Sequence, residues 1–168
     1  MHLIRQGWAT GLMVFITIFF SPVTLPIFAA LLVIWFLLKK QTKKAVLVII
    51  GLGGGFLLEV GLKMIIARPR PPYQLAIIND YSLTSYSFPS GHAMLAIIFF
   101  AIMVYCFKDH FKNPLARRLY IIVNIFLCAL VGFSRLYLGV HWFSDVIGGF
   151  IIGIIWFYLI KWLLRKAA

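Results

Sequence analysis

Long apolar runs, broken only by short clusters of lysine and arginine, restrict this chain to one solvent, the lipid bilayer. Five runs read as spans: residues 22–38, 45–66, 90–107, 119–134 and 143–160. Each is apolar around most of its circumference, which fits a helix and not the alternating strand of a barrel. The expected fold is therefore an all-α, polytopic bundle, with residues 1–168 forming a single transmembrane domain. Residues 3–20 read either as a helix lying at the interface or as a sixth, short crossing, because Pro22 and Pro26 interrupt the apolar stretch that follows. The interfacial helix is the favoured expectation.

Charge tests this layout. Lys39, Lys40, Lys43, Lys44, Lys108, Lys112, Arg117, Arg118, Lys161, Arg165 and Lys166 fall on one side when five spans alternate, eleven of the sixteen basic residues. That side is expected to be cytoplasmic. The net charge of +12 thus reflects topology and attraction to anionic headgroups rather than nucleic-acid binding. Cys106 and Cys128 lie in apolar runs, fit no zinc spacing, and read as small buried hydrophobes. The first apolar run lacks the basic leader and small-residue cleavage site of a signal peptide. The glycines of the second and fifth runs, including Gly51, Gly55, Gly149 and Gly153, read as close helix packing.

The remaining cations are Arg5, Lys63, Arg68, Arg70 and Arg135, all on the outer side. Ionisable groups at membrane depth mark functional sites by default. Three clusters fall at outer span ends: Lys63 through Arg68-Pro69-Arg70-Pro71; Pro89-Ser90-Gly91-His92; and Ser134-Arg135 followed by His141 and Asp145. Lys63, Arg70 and Arg135 suit a multivalent anion, with arginine forks matching phosphoryl oxygens. Ser90 is placed to cap a helix, Gly91 lets backbone approach a ligand, and free N–H groups at a helix start attract anions. His141 and Asp145 are one helical turn apart, so the carboxylate can fix the imidazole tautomer. His92 is then available as acid and base.

These motifs closely resemble the type 2 phosphatidic acid phosphatase family, related in its core to the vanadium haloperoxidases. Its pattern is lysine, six residues, Arg-Pro; Pro-Ser-Gly-His; and Ser-Arg, five residues, His, three residues, Asp. The match runs without a gap from Lys63 to Asp145. The resemblance implies that Lys63, Arg70, Ser90, Gly91 and Arg135 bind phosphate, that His141 attacks phosphorus, that Asp145 orients it, and that His92 moves protons. It also implies no metal and no other cofactor. The few acids, Glu59, Asp80, Asp109 and Asp145, form no magnesium cluster.

The implied activity is hydrolysis of a lipid phosphate or diphosphate at the outer face, through a phosphohistidine. Candidate substrates are phosphatidylglycerophosphate, phosphatidic acid and undecaprenyl diphosphate; the partners are that lipid and the bilayer, with no nucleic acid. A phosphotransferase passing the same phosphohistidine to a lipid or sugar acceptor is the alternative. A non-enzymatic transporter or scaffold fits the intact motifs poorly, and the haloperoxidase relatives are soluble. The family usually has six spans, and the usual first one is not evident here. Arg68 duplicates the motif arginine, as a headgroup contact or a supporting group. Glu59, one turn before Lys63, is placed to pair with it. Tyr73, Tyr81, Tyr86 and Phe88 in the outer loop read as interfacial anchors, or as a lid or lipid entrance.

Overall fold

The computed structural model describes residues 7–72, 76 and 86–166. All regular structure among them is helical. The helices are α1 (Gly7–Phe19), α2 (Leu25–Leu38), α3 (Thr42–Val48), α4 (Gly55–Ile66), α5 (Gly91–Phe107), α6 (Pro114–Tyr137) and α7 (Phe143–Lys166). A π-helical stretch, Ile49–Gly54, joins α3 to α4, so that Thr42–Ile66 runs as one rod of 25 residues.

Four helices are long and apolar enough to cross a bilayer: Thr42–Ile66, Gly91–His110, Pro114–Tyr137 and Phe143–Lys166. The chain is thus a multi-pass membrane protein. Its outward surface is apolar, as contact with lipid requires: Ile65, Leu38 and Leu57 are all largely exposed. The helices α1 and α2 are apolar but shorter, 13 and 14 residues, or about 20 Å each. Ser21 and Thr24 make the elbow between them. The Thr24 hydroxyl donates to the carbonyls of Ile18 and Phe19, and the Ser21 N–H donates back to Thr24 Oγ1. These bonds occupy backbone groups that α1 leaves over at its end.

Two span ends lie further out than the apolar runs alone suggest. The helix α6 begins at Pro114 because Asn113 caps it, accepting from Leu115 N at 2.8 Å, with proline at the first helical position. The helix α7 continues past Ile160 because its terminal cations lie over aromatic rings. Lys161 sits 4.9 Å from the Tyr105 ring centre and Lys166 sits 4.0 Å from that of Trp162.

The helix α5 is the axis of the bundle. It is buried on most sides, and α7 packs along it. Glycines set that closeness. A methyl group on Gly149 would stand 2.7 Å from the Ser90 carbonyl, and one on Gly153 would stand 2.8 Å from that of Met94. Gly51 and Gly55 likewise meet Ile102 and Ile98 of α5. The four-residue glycine spacings therefore serve helix packing. Cys106 and Cys128 are buried free thiols.

The π-helical stretch has a partner outside its own helix. Trp156 of α7 donates its indole N–H to the Gly51 carbonyl at 3.1 Å, and its ring fills the space beside Gly54. A π turn offsets the regular i→i−4 ladder, and polar partners from neighbouring helices settle the groups it displaces. Trp156→Phe should therefore cost about 0.5–1.5 kcal/mol. Thermal unfolding in detergent reads this, and unchanged stability would mean that the bond contributes nothing.

Candidate active site

The three polar clusters, far apart in sequence, converge at one end of the bundle. Lys63, Arg70, Gly91, His92, Arg135 and His141 all line a single cavity of about 760 Å³. Ser90, next to Gly91, and Asp145 have no solvent exposure. The opposite end gathers the topological cations: Lys43, Lys44, Lys161 and Arg165 border one cleft there.

Local geometry explains each position. The helix α4 ends at Ala67, whose left-handed backbone (φ 47°) reverses the chain after Lys63. The two arginines that follow then diverge. Arg70 reaches the cavity, and its Nη1 donates to the Val140 carbonyl at 3.1 Å. Arg68 turns away to Asp145, at 2.7 Å. The segment before α5 is tied to this turn. Ser87 N donates to the Arg68 carbonyl, and Ser90 N donates to the Asp145 carbonyl at 3.0 Å. Pro69 bridges to Tyr86, and the Phe88 ring lies over Gly148. Tyr86 and Phe88 are thus half-buried, Tyr86 against the Arg-Pro turn and Phe88 against α7. Tyr73 and Tyr81 lie outside the described residues.

One expectation is revised. Ser90 stands at the start of α5 but makes no side-chain cap, and its buried Oγ has no hydrogen-bond partner. Gly91 lines the cavity and also leaves room for the Glu59 side chain. A methyl group there would collide with the Glu59 carboxylate. Glu59 in turn holds Lys63 Nζ at 2.6 Å, both side chains being buried. Removing one partner of such a pair strands the other's charge. Gly91→Ala should therefore displace Glu59, move Lys63 and lower turnover about 100-fold, the scale of a 1 Å misplacement. Steady-state assay of the purified variant checks this, and wild-type turnover would contradict it.

His141 follows α6 in a short connection before α7. Its Nδ1 lies 3.5 Å from Asp145 Oδ2, within ion-pair range but too far for a hydrogen bond, and Trp142 N donates to that same oxygen at 2.9 Å. Burial holds the His141 imidazole well below its ordinary pKa. Arg135 and Arg70 act in the same direction, and Asp145 opposes them. The ring is thus neutral around pH 7, the state a nucleophile needs.

The sequence did not reveal the role of α1. Thr17 is buried, lines the cavity and accepts from Arg135 Nη1, while Thr10 Oγ1 meets the Tyr137 hydroxyl at 3.0 Å. The available signal was a threonine inside an apolar run. Trp142 was also missed. Its indole N–H donates to the Pro69 carbonyl at 3.0 Å and pins the Arg-Pro turn to the His141 connection.

Chemically, the cavity offers three cations, two imidazoles and a buried carboxylate. Its remaining wall is largely apolar, from Ile18, Pro22, Val23, Phe56, Val60 and Met64. An apolar groove of about 430 Å³ between α2 and the Thr42–Ile66 rod continues from it, sharing Pro22 and Phe56.

Comparison with known proteins finds relatives in sequence and in fold. The model of the PAP2 superfamily matches residues 44–168. Phosphatidylglycerophosphatase B of Bacillus subtilis is 36% identical over 162 residues, 95% of this chain and 77% of that protein. An undecaprenyl-diphosphatase of Sulfolobus acidocaldarius is 30% identical over 149 residues, 85% of this chain and 65% of its own. The crystal structure of a transmembrane PAP2-type phosphatidylglycerolphosphate phosphatase from Bacillus subtilis superposes with a TM-score of 0.85 at 32% identity, covering 99% of this chain and 81% of that one. Aquifex aeolicus LpxE shares the fold, with a TM-score of 0.69 at 23% identity, covering 94% of this chain and 88% of that one.

Proposed function

The chain belongs to the PAP2 superfamily, and from that premise we propose that it hydrolyses a membrane lipid phosphate, phosphatidylglycerophosphate before undecaprenyl diphosphate or phosphatidic acid. The coarser statement, a membrane lipid phosphatase, follows from the family and the fold. One observation carries the reading furthest. The cavity that presents Lys63, Arg70, Arg135 and both histidines continues into an apolar groove. A charged head and a greasy tail fit that pair of spaces together.

In this reading the cations bind the phosphoryl oxygens, and Ser90 Oγ and the α5 N-terminus add donors. Neutral His141 attacks phosphorus through Nε2. The P–N bond forms as the bond to the leaving oxygen breaks, and His92 gives that oxygen a proton. His92 then takes a proton from water, whose oxygen displaces His141 and frees phosphate. With a diphosphate, the first leaving group is the lipid monophosphate. Every charge needed comes from side chains, so the reaction is proposed to run without metal.

The active face is proposed to be extracytoplasmic, since the opposite end carries the topological cations. A cysteine at Pro72→Cys should react with an impermeant reagent added to whole cells, while one at Lys40→Cys should not. The reverse pattern would sink the orientation.

The deciding assay is phosphate release by purified protein from a panel of lipid phosphates, with EDTA present. Release from phosphatidylglycerophosphate is the expected result. No release from any lipid, or complete loss with chelator, would overturn the proposal. Label passing to an added acceptor without free phosphate would make the protein a phosphotransferase.

A further inference from the structure

Resting on the reading of His141 as nucleophile, we infer that Arg68 is a positioning residue: it locks the Asp145 carboxylate so that Asp145 can fix the His141 ring.

The arginine doublet divides its work. Arg70 lines the cavity; Arg68 does not. Asp145 has no solvent exposure, so both carboxylate oxygens need protein partners. Oδ2 takes Trp142 N and faces His141 Nδ1. Oδ1 takes Arg68 Nη1 at 2.7 Å. With both oxygens engaged the carboxylate cannot rotate, and the oxygen that faces the imidazole stays in place. Nδ1 then carries the proton and Nε2 keeps the attacking lone pair. A carboxylate bonded on one oxygen alone would swing about its Cβ–Cγ bond and let the ring follow.

Arg68 is itself fixed. Its Nη1 also donates to Ser144 Oγ at 2.7 Å, and its guanidinium lies 5.7 Å from the Trp142 ring centre. Its own carbonyl accepts from Ser87 N at 2.8 Å, and the carbonyl of Pro69, the next residue, accepts from Trp142 Nε1. Both contacts leave from the one Nη1, so a lysine ammonium keeps the charge at Asp145 but gives up the planar guanidinium over the Trp142 ring.

The test measures kcat and KM of Arg68→Gln, Arg68→Lys and Arg68→Ala in detergent, with His141→Ala alongside. Arg68→Gln should lower kcat roughly 10- to 100-fold, the scale at which lost positioning partners act elsewhere, with KM near wild type. Arg68→Lys should recover part of the loss. Added guanidinium ion should speed Arg68→Ala and leave wild type unchanged, which a merely structural role would not produce. Thermal unfolding separates a misfolded variant, and Ser144→Ala, which loosens Arg68 without removing its charge, should then show a smaller fall in kcat. A raised KM with kcat intact would make Arg68 a headgroup contact and overturn the inference. So would unchanged kinetics, or an absence of guanidinium rescue in a folded Arg68→Ala. An active His141→Ala would instead overturn the nucleophile reading beneath it.

Discussion

His141→Ala should abolish lipid dephosphorylation, with kcat falling by about 10⁴-fold or more, as when the nucleophile of a catalytic unit is lost. His92→Ala should behave differently. It keeps the nucleophile and loses the group that first protonates the leaving oxygen and then activates water, a loss of roughly 10²–10⁴-fold. With a substrate whose leaving group needs no proton, the first step still proceeds and the second stalls. Radiolabelled phosphate should then accumulate on the His92→Ala protein, in a bond that is stable in alkali and broken by acid. His110→Ala, exposed beyond α5 on the opposite end, should match wild type. Label trapped on neither variant, together with an active His141→Ala, would remove the phosphohistidine from the mechanism.

The second large effect is on packing. Gly149→Val should destabilise the protein by about 3 kcal/mol or more, at the upper end of overpacking costs. The added carbon would stand 2.7 Å from a backbone carbonyl, and backbone cannot yield as a flexible side chain does. That carbonyl belongs to Ser90, whose N–H is bonded to the Asp145 carbonyl one turn away on α7. Folded Gly149→Val that escapes aggregation should therefore also lose turnover. The readouts are the unfolding midpoint in detergent and kcat. A fully stable, fully active variant would mean that α5 and α7 can separate without consequence.

The hydropathy pattern reported which segments enter lipid, and the long helices lie where the apolar runs are. Hydropathy measures transfer from water, and it carries no information about lateral neighbours. For that reason α1 was legible only as an apolar run, and nothing in it announced that Thr17 would meet Arg135. Helix ends depend on single hydrogen bonds, such as Asn113 to Leu115, which an average over many residues conceals. The site was far more legible, because its residues are polar where polarity is costly. Lys63, Arg70, His92, Arg135 and His141 stand out individually for that reason, and the cavity brings them together. Glu59 was legible from its spacing to Lys63, but its hold on Gly91 was not. Arg68 and Arg70 are two residues apart and chemically identical. After the chain reverses at Ala67 they take different partners, Asp145 and the Val140 carbonyl.

The cavity has two walls with different origins. The chemistry-bearing wall runs from Lys63 to Asp145, inside residues 44–168 that the superfamily model matches. The facing wall, from Thr17 through Thr24, and the α2 side of the apolar groove, from Pro22 to Val33, precede that segment. Under the proposed reading, the reacting groups and one side of the surface that would meet the lipid tail come from different stretches of chain. A chimera carrying residues 7–43 of a relative with another lipid preference should change the rank order of lipids hydrolysed and retain cleavage of a short, soluble phosphate ester. An unchanged rank order would mean that the tail is selected elsewhere.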